Sequence, residues 1–208
     1  MSERGSAVLV ALLLAMLVAA IAAALVVITT TETLIAASYR HAQEASYGAE
    51  AAIERALHDL AAIPDWSTVL APPPANVTSS FDDRKSTPRG PDGRLLNLAQ
   101  LTADRQRDSD ARDSPTVFGG DTPQWRLFAH ARVRDLSSPP GVDLAVYLVV
   151  WVADDESDGD GNAAADSNDR ILVWAVAFGG GGAKRSVEAR VARASSGELR
   201  LDGWRIAR

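Results

Sequence analysis

The sequence predicts an α+β protein: one long N-terminal helix, first transmembrane and then amphipathic, packed on an antiparallel β-sheet head. Three observations carry this expectation. An unbroken apolar run opens the chain, a helical apolar stripe follows it without a break, and the part beyond Gln124 alternates apolar and polar residues between clusters of Gly, Pro and Ser. The predicted organisation is a leader at 1–5, the long helix over 6–63 with its span at 7–28, an irregular connection over 64–121, and the head over 122–208.

From Ala7 to Ile28 all 22 residues are Ala, Val, Leu, Ile or Met. At the helical rise they cover roughly 33 Å, close to the thickness of a hydrocarbon core. A helix satisfies its own backbone in lipid, and no Pro or Gly interrupts this one. Arg4 and the α-amine precede the span, Glu3 offsets part of their charge, and Glu32 and Arg40 follow it, which places the N-terminus inside and the head outside the cytoplasm. A secretory signal cleaved at Ala20-Ile21-Ala22 is the competing account. The run is longer than the apolar core of such signals, and a cut there would sever a continuous helix.

The amphipathic continuation runs from Thr29 to about Ile63, where Pro64 and Asp65 stop it. Ile35, Tyr39, Ala42, Ser46, Ala49, Ile53, Ala56 and Leu60 form one stripe, and Arg40, Glu44, Glu54, Arg55 and Asp59 lie opposite. The stripe is expected to pack on the head's own sheet, with room along its length for neighbouring copies. Gly48 is the weak helix former within it, at a cost of about 1 kcal/mol relative to Ala.

A short leader ending in Arg4-Gly5, an apolar span that starts at once and an amphipathic extension together resemble the type IV pilin architecture. Thr30-Thr31-Glu32-Thr33, Tyr39-Arg40, Gln43-Glu44-Ala45, Tyr47-Gly48-Ala49-Glu50-Ala51 and Glu54-Arg55-Ala56-Leu57 are similar to the N-terminal region of PilX-type minor pilins. The K-type pseudopilins of type II secretion are close relatives of that pattern. The resemblance covers about the first 60 residues. It implies processing by a prepilin peptidase after Gly5, with Ser6 as the new N-terminus. It also implies a pilin-like fold, an inner-membrane assembly platform and other pilin subunits as partners through the long helix, and no enzymatic activity. Major pilins carry a Glu five residues into the mature chain, where this sequence has Val10. That departure implies a low-abundance or tip-located subunit. A monomeric membrane-anchored binding domain and a DNA-capturing subunit of an uptake pilus are the alternative functions.

The connection over 64–121 is rich in Pro, Ser, Asp and Arg, and includes Pro72-Pro73-Pro74 and Pro88-Arg89-Gly90-Pro91. Leu95 to Leu101 reads as a short helix or strand, and the charges from Asp104 to Asp113 read as solvated, so no core is expected here. Five strands follow: Trp125 to Val133, Val142 to Val152, Arg170 to Phe178, Ser186 to Ala194 and Glu198 to Ile206. Ser137 to Gly141 and Gly179 to Gly182 are turns. Val187, Ala189 and Val191 alternate with Glu188, Arg190 and Ala192, so one face of the fourth strand should meet the long helix. The second strand is nearly all apolar and should be central. Trp151 and Trp174 fit core positions better than ligand stacking.

Motifs for catalysis are absent. His41, His58 and His130 have no metal-ligand spacing, there is no nucleophile elbow, and Gly179 to Gly182 lack the Lys-Ser/Thr helix start of a phosphate loop. With 21 Lys and Arg against 27 Asp and Glu, the net charge of -6 gives no general attraction to polyanions. We therefore expect neither a nucleic-acid partner nor a small-molecule substrate, although Lys184, Arg185, Arg190, Arg193, Arg200, Arg205 and Arg208 gather late in the chain. No cysteine is present, which excludes disulfides and thiolate sites.

One loop has local chemistry. Between Asp154 and Asp169 lie seven acidic residues and no Lys or Arg. Counting from Asp158, oxygen-bearing side chains fall at positions 1, 3, 5, 9 and 12 of a calcium loop: Asp158, Asp160, Asn162, Asp166 and Asp169. Ala163 occupies the position that usually needs Gly, Asp169 is shorter than the usual bidentate Glu, and the flanks are strands. A calcium site and a solvated acidic hairpin are equally compatible with this pattern.

Overall fold

The computed structural model describes residues 3–72, 79–112, 119–136 and 144–207. It contains a long helix α1 (Glu3–Ala61), a short helix α2 (Ser67–Leu70), a third helix α3 (Leu98–Arg112) and strands β1 (Arg126–Arg132), β2 (Tyr147–Asp154), β3 (Arg170–Phe178), β4 (Lys184–Arg193) and β5 (Leu199–Ala207). The chain divides into two compact units, Met1–Arg40 and His41–Arg208.

The first unit holds the apolar part of α1, the one described helix long and apolar enough to cross a membrane. Its side chains from Ser6 to Ala36 are exposed. Just past the apolar run, the hydroxyls of Thr29, Thr30, Thr31 and Thr33 donate to carbonyls one turn back, those of Leu25, Val26, Val27 and Thr29 respectively. A hydroxyl bonded to its own helix needs no outside partner, so the threonines next to the apolar run add no unsatisfied donor at its end.

In the second unit the five strands form one antiparallel sheet in the order β1-β2-β3-β4-β5, a meander in which each strand pairs with its predecessor. The predicted α+β arrangement of long helix and antiparallel sheet is present. β2 lies beside the central β3 and starts at Tyr147, later than the sequence predicts; Val142 and the turn over Ser137 to Gly141 lie outside the described residues. Every residue of β2 is buried because the sheet is covered on both sides. One face presents Leu148, Val150, Val152, Ile171, Val173, Ala175, Ala177, Val187, Ala189 and Val191 to the C-terminal half of α1, through Ala45, Ala49, Ala52, Ile53, Ala56 and Leu60. The alternation expected in β4 is thus the alternation of this contact.

Small residues predominate on the helix face against the sheet, with Ile53 and Leu60 toward its C-terminal end. An added Cβ at Gly48 would stand 2.8 Å from Val146 Cγ1 and 3.3 Å from Leu148 Cδ2. Ile35 and Tyr39, at the start of the predicted stripe, are exposed instead. At its C-terminal end α1 is closed by a residue far along the chain. The Arg193 guanidinium donates to the carbonyls of Ile63 and Pro64 at 2.6 Å each and lies 4.2 Å from the centre of the Trp66 ring. Arg193 also reaches the Leu60 carbonyl of the last helical turn at 3.4 Å, and a cation there complements the helix dipole.

The connection after α1 departs from the expectation. Trp66, Val69, Leu70, Phe81 and Leu98 are all buried, so the region contributes to the core. The charged stretch read as solvated is largely α3. The Asn97 side chain accepts from Gln100 N–H at 3.0 Å as an N-cap, and Gln100 to Asp104 and Gln106 to Asp110 bond at helical spacing. Asp113 lies outside the described residues. α3 covers the other sheet face, where Leu98 and Leu101 pack with Trp125, Tyr147, Val149, Trp151, Leu172 and Val176. Trp151 is fully buried and donates to Thr102 Oγ1 at 2.7 Å.

Asp59 ties α1 to this connection. Its carboxylate accepts from the hydroxyls of Ser79 and Ser80 and from Ser80 N–H. Burial acts to raise the Asp59 carboxyl, but these hydrogen bonds, with Arg55 beside it, outweigh burial and hold it below the usual carboxylate range. A depressed folded-state pKa gives stability that is present above the unfolded value of about 4 and is lost as pH falls through the folded value. Asp59→Asn should therefore flatten the acid limb of a thermal-stability profile measured below about pH 4.

Candidate functional site

β2 ends on an acid. Asp154 continues the buried run of the strand, pairs with Ile171 of β3, and is 0 % exposed. Its Oδ1 accepts from Asp155 N–H at 3.0 Å, while Oδ2 is buried with no hydrogen-bond partner. The loop then turns back so that carboxylate oxygens of Asp154, Asp158 and Asp160 all lie within 4.8 Å of one another. Burial, reinforced by the charge of Asp158, pushes the Asp154 carboxyl up to about 8. Burial likewise raises Asp166, with Asp169 and Asp158 adding to it.

Of the residues chosen by calcium-loop spacing, two share the three-carboxylate cluster, and the other three have partners of their own. Asp158 and Asp160 join Asp154. Asn162 closes its own turn by accepting from Ala164 N–H, and Asp166 accepts from the N–H groups of Asn168 and Arg170. Asp169 has a φ of 57° and faces Arg193 at 3.7 Å. The spacing rule assumes helices on both flanks, and strands aim the end of the loop elsewhere. Asp154 escapes that rule because it precedes the first counted position; its sequence signal is an acid continuing an otherwise apolar buried strand.

The loop is held from three sides. Arg190 of β4 bonds Glu156 at 2.6 Å. Gly161 N–H donates to Asp121 and Ala163 N–H to the Gly120 carbonyl. Asp166 N–H donates to Ser67 Oγ of α2. The approach at Gly120 is backbone against backbone, since a Cβ there would stand 2.1 Å from the Gly161 oxygen. Asp158 accepts from both the N–H and the hydroxyl of Ser167.

A second cluster of potential ligands, Asp82, Asp83 and His130, is internally paired. The His130 ring lies 3.3 Å from Asp82 and 3.0 Å from Asp83, and Tyr147 donates its hydroxyl to Asp83 at 3.0 Å. Burial and the hydrogen bond to Asp83 drive the Tyr147 phenol far above its ordinary range. Every polar group there has a partner, so the cluster fastens the connection to β1 and β2.

The late basic residues are also engaged. Arg190 pairs with Glu156, Arg193 caps α1, Arg200 pairs with Asp202, and Arg205 bonds Glu188. Lys184 lies 5.9 Å from the centre of the Phe178 ring, and Arg208 lies outside the described residues. Gly5 and Ser6 fall in the first turns of α1, and Ser6 is exposed.

Compared with known protein families, curated proteins and solved structures, the chain matches none. Its chemistry has to be argued from its own residues.

Proposed function

We propose that this chain is a non-enzymatic minor pilin or pseudopilin, inserted in the inner membrane by residues 7–28 with its head outside the cytoplasm and assembled through α1 into a pilus or secretion-type filament. The observation that carries the reading is where apolar side chains remain uncovered. Beyond the apolar run, Leu34 is 72 % exposed, Ile35 64 %, Tyr39 67 % and Tyr47 64 %, all on the helix that also carries the span. A lone anchor has no use for large apolar groups in water above the bilayer, whereas a helix that packs among copies of related helices buries them. The arrangement of long helix on antiparallel sheet is consistent with a pilin-like fold.

Val10 lies within the span as an ordinary exposed apolar residue, so the helix offers no carboxylate to a neighbour's N-terminal amine at that point. This favours a scarce or tip position over that of the main subunit. Prepilin peptidase would release residues 1–5 and leave Ser6 at the new N-terminus. N-terminal sequencing of the protein extracted from membranes of a host with that peptidase should therefore begin at Ser6. A start near Ala23, with the protein in the soluble fraction, would overturn the proposal.

A further inference from the structure

We infer that Asp154, Asp158 and Asp160 form a binding site for a hard divalent cation of the calcium type, which locks the loop between β2 and β3. The donors are all carboxylate oxygens, with no imidazole or thiol among them, and this favours calcium over softer metals. Their spacing suits it. Oxygens around a calcium ion at about 2.4 Å lie at most about 4.8 Å apart, which is the limit within which these three atoms fall.

Proximity of acids alone would mean little on a surface, and the independent observation is Asp154. Asp154 is fully buried, its Oδ2 has no partner, and its carboxylate supplies one of the three converging oxygens. A buried carboxylate with one oxygen left without a donor is costly, and a proton or a cation on that side relieves the cost. The neighbours decide between the two. Asp158 is half-buried, Asp160 is exposed, and both direct negative charge at the same point, so the site gains more from two positive charges than from one proton. The open side at Asp160 leaves room for the waters that complete calcium's shell of six to eight oxygens. Asn168 holds a second buried acceptor oxygen without a partner in the same loop, through an amide that donates to Asp155 at 2.9 Å.

Occupation would fix a loop that bonds the Gly119–Asp121 turn, α2 and β4, so the effect should be felt across that end of the sheet. The inference stands apart from the filament reading, since a subunit that never polymerises would bind equally.

The test uses the full chain in detergent micelles, with calcium chloride as the probe. Thermal unfolding followed by tryptophan fluorescence should shift upward with calcium, with half-effect at about 1 mM or below. Terbium, which takes the same oxygen ligands, should give tryptophan-sensitised emission that calcium displaces. Asp154→Asn removes the uncompensated carboxylate, so it should fold and should weaken both calcium and terbium binding by about tenfold or more. Asp158→Asn should do the same. Asp169→Asn, which alters a residue turned toward Arg193, should bind like the parent. The inference is overturned if calcium at about 5 mM neither shifts unfolding nor displaces terbium, or if Asp154→Asn responds as the parent does.

Discussion

Replacing Arg105 by methionine should destabilise the head by about 4 kcal/mol, the largest single-residue effect we expect. The guanidinium is buried, lies 3.9 Å from the centre of the Trp125 ring and 4.7 Å from that of Trp174, and bonds Glu188 Oε2 at 2.8 Å. Burial pulls Arg105 down to about 10, and the opposing charge of Glu188 works against that pull. Removing the cation leaves Glu188, itself buried, with Arg205 at 2.5 Å on its other oxygen. Breaking such a pair costs about 3 to 5 kcal/mol because a charge stays behind in a dry place. The double change Arg105→Met with Glu188→Gln should recover about half of the loss, since no charge then stays buried and the largely exposed Arg205 is left to solvent. Urea denaturation of parent, single and double variants measures this. If the two single changes were simply additive, the pair would be acting as two separate surface charges.

Gly48→Leu should cost about 2 kcal/mol even though leucine is the better helix former by nearly 1 kcal/mol. The reason is the distance between helix and sheet. A Cβ already meets Val146 Cγ1 at 2.8 Å and Ala177 Cβ at 3.4 Å, so the larger side chain has to push α1 away from β2 and β3. Ala51→Leu, on the exposed side of the same helix, should be close to neutral and serves as the control. Equal denaturation midpoints for Gly48→Leu and the parent would mean that the helix does not bear on the sheet at this point.

These two residues also mark where the sequence was readable and where it was not. The long helix and the five strands are visible because their buried faces are apolar at period 3.6 or 2, so burial leaves a periodic trace. α3 leaves almost none. The residues it buries include Arg105 and Ser109, and a helix that covers a sheet through a charge reads from sequence as a solvated run. Gly48 reads as a local weakness, and its value appears only when β2 is placed against it. In the acidic loop, composition suggested a cation site, and counting from Asp158 passed over Asp154. The ligand that matters, Asp154, belongs to the strand, and only the fold shows that its oxygen is left without a donor.

The order of strands in the sheet has a consequence for how the head comes into being. Each strand pairs with the one made just before it, and β3, β4 and β5 follow one another across short turns. Closing such turns costs little chain entropy, so a hairpin can form as soon as its second strand is available. Among the contacts between distant parts of the chain is that from α1 to the sheet, and α1 is synthesised first. The helix is thus a finished template before the first strand exists, and successive hairpins can be laid on it in the order in which they emerge. The last piece, β5, completes an edge, with Leu201, Trp204 and Ile206 still exposed. No earlier pairing has to open to admit it.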